Sequence, residues 1–94
     1  MTPEIHNNTK AHRFELEADG HTGILYYRLQ PGVITFTHTE VPPEIGGRGY
    51  ATRLARHGLD YARAEGLRVI PLCPVVAGYI AKHPEYQNLL EDPA

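Results

Sequence analysis

Two dipeptides, Asp19-Gly20 and Pro31-Gly32, punctuate a run of β-forming residues and leave it few ways to fold. Each ends in a glycine, which adopts φ > 0 without steric cost, so each marks a tight chain reversal. Before the first reversal, His12, Phe14, Leu16 and Ala18 alternate with Arg13, Glu15 and Glu17, the period-two pattern of a half-buried strand. Between the reversals, Gly23-Ile24-Leu25-Tyr26-Tyr27-Arg28-Leu29 is rich in aromatic and β-branched residues and reads as a second strand. After the second, Val33–Val41 is almost pure β-former. Strands joined by such short turns must run antiparallel, so the segment is expected to be a three-stranded meander. Residues 1–10 are polar and lack periodicity, and are expected to be a flexible leader.

Pro42-Pro43 closes the sheet run, and the glycine-rich stretch Gly46-Gly47-Arg48-Gly49 leads into a helix. There Ala51, Leu54, Ala55, Gly58, Leu59 and Ala62 form one apolar stripe, with Arg53, Arg56, His57, Asp60 and Arg63 off it. Gly66 is placed as the cap that ends this helix. Leu67–Cys73 reads as a short apolar strand, and Pro74 suits the first turn of a second helix running through Val75, Val76, Tyr79 and Ile80 to a stop near His83-Pro84. The expected architecture is an α/β fold of order β-β-β-α-β-α: an antiparallel meander, a helix crossover to a fourth strand, then a second helix. With 94 residues and no linker or repeat, the chain is expected to be a single domain spanning 1–94.

Composition narrows the function classes. Nine Lys plus Arg against eleven Asp plus Glu leave no basic excess to attract nucleic acid. The lone Cys73 excludes an intrachain disulfide and fits a reducing compartment. The longest uncharged stretch, Val69–Ala81, is broken by Pro71 and Pro74 and falls short of the roughly 20 apolar residues a membrane helix needs. The first residues have neither a basic start nor an apolar run of the kind a secretory signal carries. A soluble, cytoplasmic domain is the expectation.

Three places can carry chemistry. The glycine-rich turn exposes backbone N–H groups at a helix start, which suits a phosphate or pyrophosphate, although its spacing is neither a Walker loop nor a dinucleotide fingerprint. An ordinary close-packing connection explains the same glycines about equally well. Cys73 lies at a strand end and a helix start, where the helix partial charge favours a thiolate; it also fits as a small buried hydrophobe. His38 shares the alternation of Ile34 and Phe36, so it reads either as a core histidine or as a proton carrier just upstream of the turn. A zinc site from His38, Cys73 and His83 is the weakest reading, because no paired ligand spacing accompanies it. His83-Pro84-Glu85-Tyr86 reads as a helix stop with Tyr86 folding back on the core.

Four segments together resemble one family. Val41-Pro42-Pro43-Glu44 with Gly47-Arg48-Gly49-Tyr50-Ala51, then Pro71-Leu72-Cys73-Pro74, then Ala77-Gly78-Tyr79-Ile80-Ala81-Lys82-His83-Pro84-Glu85-Tyr86, resemble the small single-domain GNAT-like N-acetyltransferases of the GNAT acyl-CoA transferase superfamily. The resemblance covers roughly residues 12–90. It implies a minimal GNAT fold and transfer of an acetyl group from acetyl-CoA to an amine on a protein, peptide or small molecule, without a metal. It further implies that Gly46, Gly47, Arg48, Gly49, Tyr50 and Ala51 meet the cofactor pyrophosphate, with Cys73, Lys82 and His83 also on the cofactor. Gly49 and Ala51 match the last two positions of the family's Q/R-x-x-G-x-G/A turn, while Gly46 stands where Gln or Arg is usual. By the same resemblance Cys73 and His38 are the candidate catalytic pair, and Tyr79 falls where many members protonate the departing thiolate. Two alternatives remain beside transfer: a CoA-binding module without turnover, and a partner-binding domain that presents Tyr26, Tyr27 and Tyr61.

Overall fold

Both expected reversals form. Asp19 and Gly20 take φ of 51° and 76°, and Gly32 takes 75°. Two consecutive positive φ values are what a two-residue hairpin needs to match the twist of its strands. The computed structural model describes residues 3–91. Its strands are β1 (Ile5–Asn8), β2 (Arg13–Ala18), β3 (His21–Gln30) and β4 (Val33–Glu40). Helix α1 (Tyr50–Ala64), strand β5 (Arg68–Pro71) and helix α2 (Pro74–Lys82) follow, with short 3-10 turns at Pro43–Ile45 and Pro84–Leu89. The sheet runs β1-β2-β3-β4-β5, antiparallel except for the parallel pair β4–β5 that α1 connects.

The leader expectation needs correcting. Residues 5–8 pair with β2 and add a strand ahead of the meander, so the order is β-β-β-β-α-β-α; Met1 and Thr2 of that leader lie outside the described residues. Polarity hid the strand, because only Ile5 packs against the core. Asn7 faces the same way and accepts a 2.7 Å hydrogen bond from the hydroxyl of the buried Tyr27. A polar side chain is tolerated there because it satisfies a buried donor. His12, expected to open the next strand, instead turns the chain at φ 55°.

Both helices pack on one face of the sheet. Leu54, Ala55, Leu59 and Ala62 of α1 and Val76 and Ile80 of α2 join Phe14, Leu25, Ile34 and Phe36 in a single core. Gly58 sets the approach of α1: a Cβ there would lie 2.8 Å from Phe36 Cε1 and 3.0 Å from Leu25 Cδ2. Gly66, at φ 69°, ends the helix as its cap position requires. Its N–H donates to Arg63 O, and the Leu67 N–H donates to Ala62 O at 2.9 Å. The opposite sheet face, carrying Arg13, Glu15, Tyr26, His38 and Glu40, is covered by neither helix.

One irregularity decides which residues face the helices. Tyr26 pairs with His38 and Tyr27 with Phe36, so Thr37 has no partner and forms a β-bulge. An extra residue in one strand shifts the alternation by one position. Ile34 and Phe36 therefore point to the core, and beyond the bulge the inward position passes to Thr39, opposite Leu25. The expected common face of Ile34, Phe36 and His38 does not form: His38 stands on the open face with its side chain 60% exposed.

Candidate active site

The glycine-rich turn follows from local backbone chemistry. Pro42 and Pro43 start a single 3-10 turn that closes with Gly46 N–H on Pro43 O at 3.1 Å. Gly47 and Gly49 then take φ of 75° and 79°, and Gly49 caps α1 without a side-chain hydrogen bond. The first helical bond outside α1 itself runs from Arg53 N–H to Gly49 O at 3.0 Å. Among the described residues, the N–H groups from Gly47 to Thr52 take no part in the hydrogen bonds of this turn. Such free donors, at the positive end of a 15-residue helix, suit an anion.

Arg48 turns away from these donors. Its Nη1 donates to Asp19 Oδ2 at 2.5 Å, and Nη2 lies 3.5 Å from Glu44 O. The Asp19 carboxylate raises the guanidinium above its ordinary range. Arg48 thus ties the turn to the β2–β3 hairpin. Tyr50 is half-buried against the core, Ala51 is half-buried, and Gly46 and Gly47 are exposed.

Beside the start of α1 runs a groove of about 250 Å³ lined by Thr52 and by Pro74, Val75, Gly78, Tyr79, Lys82 and His83 of α2 and its end. Gly78 borders its open space, since a Cβ there would meet nothing within 4 Å. The Tyr79 and His83 rings stack with centroids 3.9 Å apart and planes 14° apart, and His83 Nδ1 lies 2.9 Å from Tyr79 O. The stack fixes both rings as one wall. Lys82 is exposed and forms no ion pair among the described residues.

At the head of α2 the sheet opens. Pairing between β4 and β5 ends at Phe36 and Pro71, whereas β4 continues to Glu40. Cys73, just past the end of β5, is the N-cap of α2. It donates its N–H to Phe36 O at 2.9 Å and accepts the Ala77 N–H at 3.0 Å. Its side chain is 1% exposed, part of the core, with Sγ 2.9 Å from Thr39 Oγ1. His38 sits on the other side of the sheet, stacked on Tyr26 at 6.1 Å with Nε2 3.4 Å from Glu40 Oε1.

The structure thus gathers Tyr79, Lys82 and His83 into one groove beside the glycine-rich turn, and leaves Cys73 in the core, one residue before Pro74 of the groove lining. It does not bring His38 to Cys73; the two flank the open end of β4 from opposite faces. Thr39, Thr52, Val75 and Gly78 are additions that the sequence reading missed. Nothing in composition marks a β-bulge, and Thr52 is one of several polar residues off the α1 stripe. Tyr27 is 2% exposed, so it is no surface anchor; burial raises its hydroxyl above the ordinary tyrosine range. No group of three or more His, Cys, Asp or Glu among the described residues can hold a metal ion. Among the same residues no helix is long and apolar enough to cross a membrane.

Residues 13–89 match the sequence profile of a family described as GCN5-related N-acetyl-transferase. Protein NATD1 of Gallus gallus is 28% identical over 89 residues, which cover 92% of this chain and 81% of that protein. Protein NATD1 of Mus musculus is 33% identical over 66 residues, covering 70% of this chain and 60% of that one. For Protein NATD1 of Homo sapiens the identity is also 33%, with 70% and 58% covered.

Proposed function

Since the chain belongs to the GCN5-related N-acetyltransferase family, we propose that it moves an acetyl group from acetyl-CoA to an amine. The observation that carries this reading is the continuity of three features: the open N–H groups at the start of α1, the groove along α2, and the gap where β4 and β5 part. A thioester cofactor has a pyrophosphate, a long thin arm and a reactive end, and the three features offer a place for each in that order. The amides of Gly47–Ala51 take the pyrophosphate, helped by the positive end of α1. Lys82 lends a cation at the far end of the groove, and the Tyr79–His83 stack gives it an apolar wall.

The reactive end then falls between the two faces of the sheet. The acceptor enters from the uncovered face, where His38 stands. Its neutral nitrogen attacks the thioester carbon, the C–N bond forms, and the C–S bond breaks as the tetrahedral intermediate collapses. His38 takes the proton that the nitrogen sheds, and Glu40 stabilises the imidazolium so formed. The departing thiolate takes a proton from Cys73 or from Tyr79, both on the helix side. Cys73 as an acyl carrier is the less favoured role, because its sulfur is buried and bonded to Thr39. Among the described residues no helix lies over the acceptor face, which favours a protein or peptide amine over a small enclosed molecule, and the lone buried thiol fits a reducing cytoplasm.

The test is acetyl transfer from acetyl-CoA to a mixture of short lysine-bearing peptides, followed by mass spectrometry. Acetylated peptide supports the proposal. Binding of acetyl-CoA with no product on any amine would reduce the protein to a CoA-binding module, and no binding would refute both.

A further inference from the structure

Cys73 is held by two residues that flank the bulge on β4. Phe36, before it, accepts the Cys73 N–H; Thr39, beyond it, reaches the sulfur at 2.9 Å. With N–H and C=O both engaged, the Cys73 main chain is clamped, and only the side-chain torsion is left to place the sulfur. A hydroxyl turned toward an apolar core costs free energy unless it is bonded, and valine fills an inward strand position as well as threonine does. Only the bulge at Thr37 brings this hydroxyl inward; unbroken alternation would leave it on the open face.

We propose that Thr39 is the positioning residue of the Cys73 thiol, its hydroxyl fixing the sulfur at the gap between β4 and β5 and donating to it once the thiol has given up its proton. The inference rests on the reading of Cys73 as a group that meets the cofactor. As the thiol, sulfur can donate to Thr39 Oγ1; as the thiolate it can only accept, and the hydroxyl rotates to serve it. The bond strengthens with charge, so the hydroxyl holds the sulfur in place once its proton has gone to a departing CoA thiolate.

The experiment follows the rate at which a small thiosulfonate reagent modifies Cys73, the chain's single cysteine, at one fixed pH. Thr39→Val keeps the shape and removes the hydroxyl; Thr39→Ser keeps the hydroxyl. Modification proceeds through a charged sulfur, and Thr39→Val leaves that charge without the hydroxyl's hydrogen bond. Thr39→Val is therefore expected to react about three- to tenfold more slowly than the parent, with Thr39→Ser near the parent. A merely structural role gives the opposite sign, because looser packing exposes the sulfur and speeds the reaction. Equal or faster modification of Thr39→Val overturns the proposal, as does a parent whose thiol is never modified. Acetyl-CoA added to the parent separates the two readings. If it gives no protection while Thr39→Val still slows the reaction, the hydroxyl governs the thiol but the thiol does not meet the cofactor.

Discussion

Phe36 and His38 lie two positions apart on β4 yet face opposite sides of the sheet, because Thr37 between them has no partner on β3. One side chain is buried in the core and the other stands 60% exposed beside Glu40. Replacing His38 therefore removes a proton acceptor without touching the core. His38→Gln is expected to lower acetyl transfer by about 100-fold or more, with thermal stability unchanged. Unchanged turnover with a rate that still rises through neutral pH would remove His38 from the reaction.

That bulge also marks where sequence reading stopped short. The turns at Asp19-Gly20 and Pro31-Gly32, the α1 stripe, the Gly66 cap and Pro74 at the start of α2 each rest on local backbone chemistry, and each forms where it was expected. Thr37 and Thr39 are ordinary strand residues, and the register that unpairs one and turns the other inward depends on how two whole strands meet. Strand β1 was missed for a related reason: Asn7 has a polar side chain whose value is set by Tyr27, distant in sequence. The groove residues Tyr79, Lys82 and His83 were legible only through the family resemblance, since helix periodicity alone assigns them no role.

Gly78 separates folding from binding. It sits inside α2 with open space where a Cβ would be. Gly78→Ala is expected to stabilise the fold by about 0.5–1 kcal/mol, because glycine in a helix interior is entropically costly. Gly78→Trp is expected to fill the groove and weaken acetyl-CoA binding at least tenfold without unfolding the protein. Calorimetric titration and thermal melts read both; a tryptophan variant that binds like the parent would move the cofactor elsewhere.

Gly58 gives the opposite sign. Although alanine is the better helix former, the added Cβ would lie 2.8 Å from Phe36 Cε1. Gly58→Ala is expected to destabilise the protein by about 1–3 kcal/mol, as overpacking does in a close-packed core. A raised melting temperature would show that α1 can back away from the sheet at no cost.

Tyr86 fastens the C-terminal turn to α1. Its hydroxyl donates to Asp60 Oδ1 at 2.6 Å, and Arg63 lies over its ring at 4.6 Å. The bond to Asp60, with burial second, raises the Tyr86 hydroxyl above its ordinary value. The folded state thus holds this proton more tightly than the unfolded chain. The stabilisation is fully present below about pH 10 and is lost as pH rises through the folded value. Tyr86→Phe is expected to cost about 1 kcal/mol at neutral pH, and the difference from the parent is expected to shrink above about pH 10. A difference independent of pH would assign the loss to packing alone.

The most direct measurement is a titration of acetyl-CoA into nitrogen-labelled protein, followed by amide resonances. The predicted result is that the amides of Gly47–Thr52 and of Val75–His83 shift together and saturate, while those of β1 stay in place. A spectrum that does not respond to acetyl-CoA, or shifts confined to the β1–β2 edge, would contradict a cofactor site at the start of α1 and along α2.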